Sequence, residues 1–309
     1  MTTAGTAIRS YRGQLTAIAV AAIGLFLFPG AAHAAQQDIT MTPTSVSPII
    51  QPGSIQHGSF QILNQGKTGY KFIVYASPYR VDNEDYTPDF TALPTAPNIT
   101  SWFNFSTPGG SIDANKEVNI SYTISIPEDT QPGGYYAAAF AETQYPKSAD
   151  GITLNERVGE IFYIQVAGPV VKKGEIATWQ SNFFQKPPLT STIRLKNEGS
   201  IHYPADIHLY VKDILGHTKF SLYTQKELLP QTVRRVVIPW SKTPSIGLFK
   251  VSGAVTFLGQ DHILGTKWVL VMSPRVRMVI ITIIALSIVL IIGRGLYRSR
   301  KNKKKAKKI

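Results

Sequence analysis

The sequence predicts an all-β protein: two tandem Ig-like β-sandwiches followed by one C-terminal transmembrane α-helix. Three observations predict it. Between residues 36 and 272, short runs rich in Val, Ile, Thr, Tyr and Phe are broken by Pro, Gly and Asn, with no amphipathic helix among them. The same order of strands and turns then occurs twice. Near the C-terminus a single apolar run is bounded on both sides by basic residues.

At the N-terminus, Arg9 and Arg12 precede a 14-residue apolar run, Leu15 to Phe28. Pro29-Gly30 ends that run, and Ala32-His33-Ala34 is a small-x-small cleavage site. The run is short for a bilayer span, which takes about 20 residues. Residues 1–34 are therefore expected to be a cleaved signal peptide rather than an uncleaved anchor.

The first sandwich is assigned to 35–168 and opens on a strand, turn, strand unit: Ser59 to Leu63, Asn64-Gln65-Gly66-Lys67, Tyr70 to Ala76. In the run from Val118 to Ile126, strict alternation puts Val118, Ile120, Tyr122, Ile124 and Ile126 on one face, the mark of a half-buried strand. The second sandwich, 169–274, repeats this grammar with Thr192 to Lys196, Asn197-Glu198-Gly199-Ser200, Ala205 to Val211, Val233 to Pro239 and Pro244 to Gly253. The Asn-x-Gly turns are 133 residues apart but the later elements only 115 and 112, so the first copy carries about 20 extra residues, an inserted loop within about 80–110. The junction is placed near Gly168-Pro169. Each sandwich lacks the cysteine pair of an antibody domain, so its core must be wholly apolar.

The apolar run Met278 to Gly293 is the centre of a helix assigned to 275–297, with a basic cytoplasmic tail at 298–309. Arg277 stands at its start, while Arg294, Tyr297 and Arg298 are placed to anchor its far end at the interface. The Lys-rich tail stops transfer, so a single pass with the N-terminus outside is expected.

Charge excludes a nucleic-acid partner. The net charge of +13 comes from 13 basic residues outside 35–274, which leaves 19 basic against 19 acidic residues inside that region. The excess basic residues all flank apolar runs and report topology. The two sandwiches differ in sign: 35–168 has 13 acids against 6 bases, and 169–274 has 6 acids against 13 bases. Such domains attract each other, and a compact pairing that loosens with added salt is expected; the rival readings are that the basic domain lies against anionic wall polymer or lipid headgroups, or that the charges are scattered and do neither. The absence of cysteine rules out a disulfide scaffold, and in an exported, tethered chain it points to a bacterium with one membrane and a thick wall.

No Gly-x-Ser-x-Gly, His-Glu-x-x-His or phosphate-binding glycine loop is present, so no catalytic residue, cofactor or enzymatic activity is expected. His57, His202, His208, His217 and His262 have no metal-ligand spacing. Asp82, Glu84, Asp85 and Asp89 are oxygen ligands of the kind a hard cation takes. No glycine follows in EF-hand position, and a solvated loop is the expected state. The inserted loop also carries Tyr86, Phe90, Trp102 and Phe103, aromatic rings of the kind that stack on sugars. For Trp102, plugging the sandwich edge competes with glycan contact; Trp102 is expected to be buried and Tyr86 exposed. Tyr135 and Tyr136 follow Pro132-Gly133-Gly134, one directed inward and one outward, with a tyrosine-corner core contact expected.

The ordered set Ser101-Trp102-Phe103, Thr107-Pro108, Asn115 to Ile120, Ile126-Pro127 and Pro132-Gly133-Gly134-Tyr135-Tyr136 resembles the first ectodomain module of the WxL-interacting proteins of Gram-positive bacteria. The layout of signal, two Ig-like domains, helix and basic tail is similar over the full length. That resemblance implies a wall-associated protein whose first domain contacts peptidoglycan and whose second contacts a partner protein or host surface. The expected function is non-enzymatic binding of cell-wall polymer or of a surface protein. The alternative is an accessory subunit of a membrane or secretion complex.

Overall fold

The computed structural model describes residues 39–92, 98–144 and 155–306, with 296–306 by backbone alone. Residues 1–34, where a signal peptide is expected, and the last three residues of the chain lie outside the described residues.

The first sandwich comprises β1 (Ile39–Thr42), β2 (Ser45–Val46), β3 (Ile49–Ile50), β4 (Ile55–Asn64), β5 (Tyr70–Pro78), β6 (Arg80–Val81), β7 (Pro88–Asp89), β8 (Phe103–Phe105), β9 (Gly109–Ile112), β10 (Glu117–Ser125), β11 (Gly133–Gln144) and β12 (Arg157–Val166). The second comprises β13 (Gly174–Gln180), β14 (Phe184–Gln185), β15 (Leu189–Asn197), β16 (Tyr203–Asp213), β17 (Thr218–Leu228), β18 (Thr232–Trp240), β19 (Ile246–Phe257) and β20 (Gln260–Met272). A helix, α1 (Pro274–Ala306), follows.

One sheet of the first sandwich runs β1-β4-β10-β8 and the other β2-β12-β11-β5-β9. The second sandwich pairs β13-β15-β18 with β14-β20-β19-β16-β17. The two plans match strand for strand, β4 with β15, β5 with β16, β10 with β18, β11 with β19 and β12 with β20. The first copy's additional residues form β6, β7, the 3-10 turn Ile99–Trp102 and β8.

Alternation decides which side chains are buried. On β10, Ile120, Tyr122 and Ile124 turn inward against Phe60, Ile62 and Phe162. On β15, Leu189, Ile193 and Leu195 turn inward against Ile207, Val251 and Val269. Each such side chain contributes roughly 1.5–3 kcal/mol on burial. The interiors are not wholly apolar as the sequence predicts, since Asn64, Glu160 and Asn197 are buried in them, and the repeated turn shows why for two of the three. The Asn64 carboxamide is buried, donating to the carbonyls of Thr68 at 2.9 Å and Asp113 at 3.1 Å and accepting from Gly66 N–H at 2.8 Å. Asn197 does the same, donating to Ile201 at 2.9 Å and Leu228 at 2.8 Å and accepting from Gly199 N–H at 2.8 Å. A side-chain amide thus satisfies loop carbonyls that would otherwise be stranded in an apolar core.

The Pro274–Gly295 part of α1 is long and apolar enough to cross a membrane, at 22 residues and mean hydropathy 2.7, and none of it is buried against the sandwiches. Arg277 and Arg294 stand near its two ends, and Tyr297 and Arg298 lie in its last turns, described by backbone only.

Candidate functional site: the joint between the sandwiches

The inserted loop returns across the outer face of the β12-β11-β5 sheet. Phe90 packs edge-on against Phe140 at 4.8 Å and lies 5.9 Å from Tyr79, which meets Tyr163 at 6.1 Å. Tyr163 then contacts His202 of the second sandwich at 5.2 Å, and Tyr136 contacts the same imidazole at 5.6 Å. Outward-facing Tyr136 and Tyr163 thereby gain a partner domain in place of water.

The tip of the loop, Asp82 to Tyr86, reaches the β18 edge of the second sandwich. Asn83 shapes it, its Oδ1 accepting from Asp85 N–H at 3.1 Å and Thr87 N–H at 3.2 Å. Tyr86 sits at φ 59°, a left-handed conformation uncommon for a bulky residue. The residue is only 7% exposed. The Arg234 guanidinium lies over it at 4.2 Å. The hydroxyl accepts from Leu229 N–H at 2.9 Å and donates to Thr232 Oγ1 at 2.5 Å, which itself donates to the Leu229 carbonyl at 2.7 Å. The expectation that Tyr86 is exposed is thus overturned, because its hydroxyl and its ring both have partners 143 or more residues away.

The carboxylates are likewise engaged. Glu84 binds Arg194 through both guanidinium arms, one at 2.7 Å, and Asp85 takes Arg235 bidentately at 2.8 and 2.6 Å. Hydrogen bonds from Arg194 and Arg235 hold the Glu84 and Asp85 carboxyls below the usual range. Asp89 pairs with Arg80, with Asp82 3.7 Å from the same arginine. Hydrogen bonds from Thr91 first, and then from Arg80, hold the Asp89 carboxyl at about 2. Among the described residues no group of three His, Cys, Asp or Glu converges for a metal. The cation reading of Asp82, Glu84, Asp85 and Asp89 therefore gives way to four carboxylates aimed at arginines.

Backbone completes the joint. Arg235 N–H donates to the Glu84 carbonyl at 2.6 Å, so the loop occupies part of the open edge of β18, a position that exposed strands otherwise leave free for unwanted pairing. Gly134 N–H donates to Ser200 O at 3.0 Å and His202 N–H to Tyr136 Oη at 2.9 Å. Burial pushes the His202 imidazole down to about 4, so it is neutral in the joint. The sign follows: a folded value below the ordinary 6.5 weakens the joint as pH falls from about 6.5 toward 4.

Trp102 and Phe103 belong to the first sandwich's own packing. Trp102 is 6% exposed and meets Tyr135 at 5.0 Å, and Phe103 packs edge-on to Phe162 at 4.9 Å. Tyr135 donates back to the Gln131 carbonyl at 3.0 Å, in the manner of a tyrosine corner. Phe90 is half-buried between Tyr79, Phe140 and Arg157, so Tyr86 and Trp102 are buried and Phe90 and Phe103 half-buried against neighbouring rings. Trp102→Ala is expected to cost about 3–5 kcal/mol, read by chemical unfolding of the first sandwich.

Arg194, Thr232, Arg234, Arg235 and His202 were not singled out as site residues in the sequence. The available signal was the Arg234-Arg235 pair in a domain of net positive charge facing an acidic insertion in a domain of net negative charge.

Fold and joint together define a two-domain all-β protein of Ig-like sandwiches carrying one apolar helix. No family model and no curated protein matches the chain. Solved structures with a similar fold include the CsuC–CsuE chaperone–tip adhesion subunit pre-assembly complex from the archaic chaperone-usher Csu pili of Acinetobacter baumannii, at 11% identity over 77% of this chain and 99% of that chain, TM-score 0.38. The E. coli chaperone DraB is similar at 14% identity over 75% and 96%, TM-score 0.37. The Pseudomonas aeruginosa CupB2 chaperone is similar at 11% identity over 74% and 98%, TM-score 0.36. Likeness at this level assigns neither a partner nor an activity to the present chain.

Proposed function

We infer that the chain is a non-catalytic cell-surface protein that binds a surface partner protein, with α1 crossing the membrane, the basic tail inside and both sandwiches outside. Membership of the WxL-interacting family is part of this reading. The observation that carries it is the outer face of β16 and β17. Tyr210 and Tyr223 are exposed there, His208 meets Tyr223 at 4.6 Å, and Asp206 accepts from Tyr223 Oη and Gln225 Nε2, each at 2.9 Å. Exposed tyrosines with polar neighbours supply large contact area at low entropic cost, the composition of protein interfaces. Strand β17 is also the end of its sheet, so a partner strand can add to it. Of the insertion's aromatics, Tyr86 and Phe90 pack in the joint and Trp102 and Phe103 in the first sandwich, which favours a protein partner over wall polymer.

A photo-crosslinking residue at Tyr223 in intact cells is expected to capture a protein, and capture of glycan alone contradicts the choice of partner. External protease should digest the sandwiches and spare a tag at Ile309; a tag cleaved from outside contradicts the orientation.

A further inference from the structure

The second sandwich gathers exposed apolar side chains at the end from which α1 leaves. Register brings together there the end of β20, the start of β19, β14 and the β16–β17 turn: Ile246 faces Met272, Phe184 faces Leu270 and Asp213 faces Phe249. Phe183, Phe184, Ile214, Leu215, Ile246 and Leu248 are all exposed, Leu215 at 76% and Phe184 at 67%. Isolated surface hydrophobes are ordinary, but a group of this kind marks a contact surface. The turn that presents Ile214 and Leu215 is fixed, since Asp213 Oδ1 accepts from the N–H groups of Leu215 and His217, both at 2.9 Å.

Nothing slack separates this end from α1. Met272 closes β20, Pro274 opens α1, and Ser273 between them donates its N–H to Ser245 O at 2.7 Å and accepts from Arg277 N–H at 3.0 Å. At about 3.3 Å per strand residue, Leu270 and its neighbours lie within roughly 15 Å of the first helical residue. A helix that enters a bilayer at Pro274 therefore brings this end to the headgroup layer. Charge agrees. Lys186, Lys212, Lys242 and Lys250 stand in or beside these strand ends, and Arg275 and Arg277 follow. The acid among them, Asp213, is engaged by Lys219 at 3.1 Å and His217 at 3.3 Å.

We propose that this end of the second sandwich is a lipid-docking surface: Phe183-Phe184 and Ile214-Leu215 enter the interfacial layer of the leaflet through which α1 passes, and Lys186, Lys242 and Arg275 meet anionic lipid phosphates. Aromatic and basic side chains are the residues that settle at that depth. Docking would fix the tilt of the sandwich on its helix and so present the β16–β17 face at a set angle. The proposal rests on α1 being a membrane span.

The test uses the full chain in vesicles of zwitterionic lipid containing a fraction of phosphatidylglycerol. The natural sequence has no cysteine, so Leu215→Cys, Ile263→Cys and Ser287→Cys each give one site for an environment-sensitive fluorophore. Ile263 is 79% exposed near the opposite turn of the same sheet and is the aqueous control. Lipid-borne nitroxide is expected to quench the labels at Ser287 and Leu215 and spare Ile263, while iodide quenches Ile263 alone. Quenching at Ser287 with Leu215 open to iodide overturns the docking and leaves the span standing. Leu215 shielded from iodide yet untouched by nitroxide means a protein, or a second copy, covers it, which also overturns the proposal. A label at Ser287 that iodide reaches overturns the span and the docking together.

Discussion

Tyr86→Ala is expected to open the joint while leaving both sandwiches folded. Losing a buried aromatic costs about 3–5 kcal/mol. The Leu229 N–H loses its partner in the same step, worth roughly 1–3 kcal/mol when left unsatisfied, while the Thr232 hydroxyl keeps its bond to the Leu229 carbonyl. Tyr86 belongs to the small cluster with Tyr79, Tyr163 and Leu229 and to neither main core. The loss therefore falls on docking, and calorimetry should resolve one transition into two. Tyr86→Phe keeps the ring under Arg234 and removes only the hydroxyl, so it should show a smaller effect of about 1–3 kcal/mol. An unsplit transition at the native temperature for Tyr86→Ala would sink this account of the joint.

A second large effect is expected at Glu160. Its carboxylate is fully buried two residues before Phe162, on the core-facing side of β12, and neither oxygen has a hydrogen-bond partner among the described residues. Burial pushes it up to about 8 from 4.5, so the folded protein holds a proton that the unfolded chain releases. Stability is complete below about pH 4.5, falls as pH rises toward 8, and is flat beyond. At about 1.4 kcal/mol per pH unit the window amounts to several kcal/mol. Glu160→Leu should abolish this slope and stabilise the first sandwich at pH 8 by a similar amount, since an apolar side chain replaces an unpaired buried carboxyl. A pH profile shared by wild type and variant between 5 and 8 would refute it. His202 acts with the opposite sign, its contribution rising between about pH 4 and 6.5, so the two offset each other there and the intact protein should be most stable at mildly acid pH.

The parts of this molecule that were legible in sequence are those encoded within a strand or a turn. Alternation from Val118 to Ile126 identified its buried face because a pleated strand has a period of two. The paired Asn-x-Gly turns were visible because Asn64 and Asn197 do the same local chemistry. The insertion was also visible, as a difference in spacing. Its role was not, because Tyr86 and Thr232 are 146 residues apart and no local pattern reports that meeting. Acidic and aromatic residues on a Pro-rich loop read equally well as a cation site, a sugar site or a clasp. Arg194 and Arg235, which engage Glu84 and Asp85, lie on β15 and β18, where alternation marks them only as outward-facing. Glu160 carries no such mark in the sequence, because an unpaired inward carboxylate emerges only once every neighbour is known.

The opposed charges of the two domains do meet, but around a buried aromatic centre. Screening should therefore weaken the exposed Arg194–Glu84 and Arg235–Asp85 pairs without separating the domains, in place of the loosening that charge alone predicts.

The central claim is that the insertion clasps two sandwiches into one unit. It is tested most directly by pulsed electron spin resonance between nitroxides on Ser121→Cys and Thr218→Cys, exposed positions on the two domains. One narrow distance distribution is predicted, unchanged between about 0.02 M and 0.5 M salt, unaffected by calcium, and broadened by Tyr86→Ala. A broad distribution in the otherwise native chain, or one that widens with salt alone, would contradict the clasp.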